Sequence, residues 1–163
     1  MNADCIALFH SDPMTTPESI TVDLAHAKEL KAHGWPQEDV LYFWIQNGKG
    51  FDDWSESIME NAEAVHRLAG KGTWAWSKVV AAPTAEEILR RLPDSIQIAR
   101  EHGGTRDAMI DIGKHYCGLF YNDYDAIDGA IEEVEVVGFS EDTLANAAAA
   151  MWCYLKENNL FPL

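Results

Sequence analysis

The chain has 163 residues, 47% of them hydrophobic, enough to bury a real core and too apolar for a disordered chain. Its 12 Lys and Arg face 27 Asp and Glu, a net charge of −15 that repels nucleic acid and anionic membrane surfaces and attracts basic protein surfaces. Cys5, Cys117 and Cys153 form an odd set without CxxC spacing, which argues against a disulfide framework and for reduced thiols.

The start of the chain, "MNADCIALFHSDP", has no basic n-region, and no run approaches the ~20 apolar residues of a membrane span. A protein of the cytoplasm, without a membrane partner, is expected. "CIALFH" can form an edge strand, and turn-rich "SDPMTTPES" reads as a connection. Leu24, Ala27, Leu30 and Lys31 recur at helical spacing and predict a helix over about Val22 to His33, with Gly34 as its C′ residue and Pro36 preventing continuation.

Leu41 to Ile45 is aromatic and β-branched and predicts a strand, followed by an Asn47-Gly48 turn. The next segment predicts a helix, because Trp54, Ile58, Ala62, Val65 and Leu68 fall on one face and Gly70 follows. "TWAWSKVVA" alternates like a strand.

"AAPTAEEILRRLP" (81–93) opens a short helix at Thr84 and closes it at Pro93. Thr84 can cap the backbone N–H of Glu87, and the Glu87 carboxylate can reach back to the Thr84 N–H. "SIQIARE" alternates like a strand. "GTRDAMIDIGKHYCGLFYND" supplies one or two more, with Gly103-Gly104 and Gly113 as breaks, and "AIEEVEVVGF" another. Ser140 is expected to cap the last helix, which buries Leu144, Ala148, Met151, Trp152 and Leu155 against the sheet. The order predicts one domain over residues 1–163, of α+β class, with an antiparallel sheet and helices packed mainly on one face.

"AAPTAEEILRRLP", the β-rich middle and the final "LANAAAAMWCYLKENNLF" resemble a group of small bacteriophage and prophage accessory proteins. Upstream "DLAHAKELKAHGWPQEDVLYFW" is similar to that group's opening, and the likeness covers roughly Val22 to Leu163. Residues 46–72 depart from it and read as an insertion. The resemblance implies a phage accessory protein and transfers no catalytic residue.

The chemistry-bearing patterns are sparse. His115 and Cys117, with His102 as a third donor, fall short of a zinc set, and "NDYDAIDG" misplaces its acids for an EF-hand loop. The two Gly-Lys-Gly words lack P-loop spacing, and no GxSxG occurs. No metal, no cofactor and no catalysis are expected.

Two features remain. From His115 to Leu155 there is no Lys or Arg, and Asp123, Asp125, Asp128, Glu132, Glu133 and Glu135 can share an acidic face. The chain also holds six tryptophans.

The first function expected is therefore a phage-encoded, non-catalytic binding protein. Its acidic face would occupy a basic, nucleic-acid-binding surface of a host defence protein, without itself binding nucleic acid. The alternative is a sponge for a nucleotide immune signal, held by Trp44, Trp74 and Trp76 with Arg90, Arg91 and Arg106, where a homo-oligomer would add pockets at subunit interfaces. A small phage enzyme ranks third.

Overall fold

The structure, a computed structural model, describes residues 17–38, 40–45, 57–60, 79–100, 103–124 and 131–161. A short helix α1 (Pro17–Ile20) precedes α2 (Leu24–Ala32). Asp23 caps α2 from an extended conformation, its carboxylate accepting from the His26 N–H at 2.9 Å. The helix starts later than its apolar spacing predicts, because the Val22 N–H donates to the Pro83 carbonyl at 3.0 Å and is committed to that contact. At the other end Gly34 has φ +83°, the Trp35 N–H reaches back to Leu30 O and the Gly34 N–H to Lys31 O, a Schellman closure.

Three strands follow, β1 (Tyr42–Ile45), β2 (Ser57–Glu60) and β3 (Val79–Ala81), and they form an antiparallel sheet in the order β2-β1-β3. The helix expected over the second of these segments is overturned at Ser57–Glu60. Trp44 lies opposite Ile58, and pairing with the buried strand β1 outweighs a local helical period. Trp54, Ala62, Val65, Leu68 and the Asn47-Gly48 turn lie outside the described residues.

The segment after β3 ties the molecule together. The Ala81 N–H donates to Gln37 Oε1, the Ala82 N–H to Tyr42 O, and Pro83 O accepts from Val22. Thr84 then caps α3 (Ala85–Leu89) in a complete capping box. The Glu87 carboxylate accepts the Thr84 N–H at 2.7 Å with one oxygen and the Leu41 N–H at 2.9 Å with the other. One side chain thus caps the helix and anchors the approach to β1. Leu92, the last residue to bond back into the helix, is followed by Pro93, which has no N–H to continue it.

A second antiparallel sheet has the order β4 (Ser95–Ala99), β5 (Thr105–Ile112), β6 (Tyr116–Tyr124) and β7 (Ile131–Ser140). Helix α4 (Leu144–Glu157) packs across β6 and β7 and is met by α2 and α3. The fold is α+β, with the antiparallel strands divided between two sheets where the alternation suggested one. One buried cluster runs through both sheets and the helices, from Val22 and Trp44 to Leu119, Met151 and Leu155.

Two details of α4 differ from expectation. Ser140 ends β7 opposite Tyr116, and Thr143 caps the helix by accepting from the Asn146 N–H at 3.1 Å. The paired strand holds Ser140 extended, so the next hydroxyl takes the role. Trp152 is buried as expected, and its ring packs on Trp35 and Phe161, with ring centroids 4.7 and 4.4 Å away. Leu144 is half-buried, whereas Ala148, Met151 and Leu155 are fully buried.

Candidate functional site

Strand alternation sorts the residues of β4–β7 onto two faces. Ile96, Ala108, Cys117 and Leu119 point to the inner face and are buried, and α4 packs over β6 and β7. Gln97, Asp107, Met109, Asp111, Gly118, Phe120, Asn122, Glu133 and Glu135 point the other way, as their cross-strand pairs show: Gln97 with Asp107, Met109 with Phe120, Asp111 with Gly118, Asn122 with Glu133, Phe120 with Glu135. Met109 is 54% exposed, and Asp107, Asp111, Glu133 and Glu135 are exposed too, so no described element covers this outer face.

The outer face has an aromatic centre. Tyr116 and Phe120 flank Gly118 with ring centroids 6.2 Å apart. They lie over the Gly118–Gly138 pair, where a Cβ on Gly118 would come within 2.6 Å of the Tyr116 ring. The glycines let the rings lie flat on the backbone. The Tyr116 hydroxyl donates to Glu135 Oε2 at 2.6 Å. Partial burial first, then this bond and the Glu135 charge, raise the phenol above the ordinary tyrosine range. Around this centre stand Asp107, Asp111, Glu133 and Glu135, and no strand position of the face carries Lys or Arg.

The expected acidic cluster is split. Glu133 and Glu135 belong to the outer face. Asp123 and Glu132 pair with each other at the far end of the inner face, where Arg106 stands 3.6 Å from Asp123. Asp125 and Asp128 lie outside the described residues. The four described carboxylates therefore do not form one surface, because consecutive strand positions alternate and because the Arg106 guanidinium partly neutralises Asp123. Asp107 and Asp111 were missed, although the i, i+2 spacing of Asp107, Met109 and Asp111 is visible in the sequence.

The residues of the nucleotide alternative are also separated. Trp44 is buried, its ring N–H donating to Val22 O at 3.0 Å, and has no free face for stacking. Arg90 pairs with Glu86 on the exposed side of α3, and Arg91 lies over Trp35 at 5.0 Å. Trp74 and Trp76 lie outside the described residues. Arg106 alone sits in a suitable place, a groove of about 550 Å³ shared with Arg100, Tyr121 and Asp123. Its guanidinium lies 4.0 Å from the Tyr121 ring centre, and its buried Nη1 makes no hydrogen bond.

His115 is exposed and Cys117 fully buried, so they do not converge on one ion. The described residues do bring three metal donors together elsewhere: Glu29, His33 and Cys153, whose ligand atoms lie within 4.8 Å of one another. Cys117 and Cys153 are free and buried. Burial first, then Asp111, pushes the Cys117 thiol up to about 11, and burial with Glu29 and Glu157 pushes Cys153 up to about 12. Neither is an activated nucleophile. No helix among the described residues is long and apolar enough to cross a membrane.

Comparison of the chain with protein-family models, with curated proteins and with solved structures gives no match.

Proposed function

We propose that the chain is a phage-encoded, non-catalytic binding protein whose outer sheet face covers a basic, nucleic-acid-binding surface of a host defence protein in the host cytoplasm. The observation that supports this is the pair Asp107 and Asp111 on β5, an interior strand of the four-stranded sheet. Acids on an edge strand such as β7 have a plain alternative role, since they discourage edge-to-edge pairing. Interior strands need no such protection. Carboxylates on both β5 and β7 around an aromatic and methionine centre make a surface with a sticky middle and a negative rim. A nucleic-acid-binding protein offers the complement, rows of Lys and Arg spaced to meet phosphates. The phage attribution rests on the resemblance of the Ala-Pro-Thr and Met-Trp segments.

The test is protection of a phage from restriction in cells that carry a defence system and express this chain. Asp107→Lys with Asp111→Lys should abolish protection and leave the melting temperature nearly unchanged, because both side chains are exposed. Glu132→Lys, on the other face, should leave protection intact. Full protection by the double reversal would refute the outer face as the working surface.

The Arg106 groove favours a second reading, capture of a nucleotide signal by Arg100, Arg106 and the Tyr121 ring. Cyclic and ADP-ribose-type nucleotides would then raise the melting temperature of the wild type and not of Arg106→Ala. No shift across such a panel would remove this reading.

A further inference from the structure

Helices α2 and α4 lie side by side and run in the same direction, as three contacts show. Near their starts, the Asp23 backbone N–H donates to Asn146 Oδ1 at 3.0 Å, and Asn146 Nδ2 donates to Asp23 Oδ2 at 3.1 Å. Farther along, Glu29 meets Cys153. At the ends, His33 Nε2 lies 3.2 Å from Glu157 Oε1. The register between the helices is almost constant. Each helix therefore offers two donors one turn apart, Glu29 with His33 and Cys153 with Glu157, all facing the same seam.

We propose that this seam is a divalent metal site of zinc type, with Glu29, His33 and Cys153 as ligands and Glu157 as the fourth. The donor set suits the ion: one thiolate, one imidazole and two carboxylates are all ordinary zinc ligands. The spacing suits it as well. Ligand atoms around tetrahedral zinc stand about 3.3–3.8 Å apart, given bonds of about 2.0–2.3 Å. The three donors already lie within 4.8 Å of one another, and Glu157, which stands outside that cluster but 3.2 Å from His33, would turn from its imidazole to the ion.

Two further features favour a cation here. His33 is the C-cap of α2, and Glu157 is the last helical residue of α4, so the negative ends of both helices converge on the seam. The donors also grade from buried Cys153 through half-buried His33 to exposed Glu29 and Glu157, which gives an ion a path inward. Filled by four protein ligands, the site is a structural clip between the two helices, with no open position for a substrate. This inference does not depend on the proposed binding function.

The experiment uses the full chain stripped with chelator and then dialysed against micromolar zinc chloride. Wild type should retain one zinc per chain and gain melting temperature in its presence. Its cobalt(II) form should show a thiolate-to-metal charge-transfer band. His33→Gln and Glu29→Gln, both at the surface side of the site, should weaken zinc binding at least about tenfold while keeping the fold by circular dichroism. Cys153→Ala should lose the charge-transfer band. Failure of the wild type to retain zinc would overturn the site. So would zinc retention that is undiminished in His33→Gln and Glu29→Gln, since the ion would then sit on donors elsewhere in the chain.

Discussion

The two faces of the four-stranded sheet are made from alternate residues of the same strands, yet they answer to different demands. On the inner face Ile96, Ala108, Cys117 and Leu119 are buried, with α4 packed over β6 and β7 and its own Ala147, Ala148, Met151 and Leu155 buried too. Burial of apolar area explains each of them. On the outer face the same strands carry Asp107, Met109, Asp111, Phe120, Glu133 and Glu135, and no described element needs them for packing. Even the close fit there, Tyr116 and Phe120 over two glycines, is a surface feature. The inner face is constrained by folding. Among the described residues nothing places that constraint on the outer face, which leaves it open to the partner role proposed above.

Removing matched side chains from the two faces is the strongest way to break this comparison. Leu119 is wholly buried, and Leu119→Ala should cost about 2–5 kcal/mol by urea unfolding. Met109→Ala, on the opposite face of the sheet and 54% exposed, should stay within about 0.5 kcal/mol of wild type. Equal losses would mean that the outer face is covered and structural.

Legibility in the sequence followed the same division. The capping box at Thr84, the Gly34 helix end and the strands β4 to β7 were readable, because each rests on local spacing or on one residue's conformational need. Ser57–Glu60 was not readable. Its strand state depends on β1, which lies at a distance in sequence and supplies the pairing. The acidic surface was half readable for a related reason. The base-free stretch from His115 is a fact of composition, but alternation divides it between two faces, and two further outer-face acids, Asp107 and Asp111, lie upstream of it on a neighbouring strand. Trp44 shows the limit of reading aromatics, since a tryptophan on an apolar strand carries no mark of whether it faces core or solvent. The Glu29-x-x-x-His33 and Cys153-x-x-x-Glu157 pairs are each visible as one-turn spacings. Only the parallel register of α2 and α4 makes them one cluster.

A smaller effect sharpens the account of the outer face. Gly118→Val would place a branched side chain where Tyr116 and Phe120 now lie, with Cβ 2.5 Å from the Phe120 ring. The colliding atoms are the outer parts of two aromatic side chains, which can swing into solvent. The cost should be about 1–3 kcal/mol, less than a core truncation, and the far-ultraviolet spectrum should remain native. The same variant should impair phage protection, because the aromatic centre would be dispersed while the four carboxylates stay in place. Unimpaired protection would leave charge alone as the binding determinant.

The smallest expected effect concerns Tyr116 and its bond to Glu135. Partial burial, and then the bond and charge of Glu135, hold the phenol above its ordinary range, whereas an unfolded tyrosine ionises near pH ~10. The folded state therefore keeps its proton where the unfolded state has lost it. The stability linked to Tyr116 is fully present below pH ~10 and is lost as pH rises from there through the folded value. Glu135→Gln keeps an acceptor for the hydroxyl and removes the charge, so it lowers the folded value toward the ordinary one. Its melting temperature should fall less steeply with alkaline pH than that of the wild type, and the tyrosinate absorbance of the folded protein should develop earlier. The charge of buried Cys117, the next residue, adds a smaller upward push on Tyr116 that wild type and variant share. Identical alkaline profiles for wild type and Glu135→Gln would show that the Tyr116 hydroxyl is open to water, and that the aromatic centre is not fixed by Glu135.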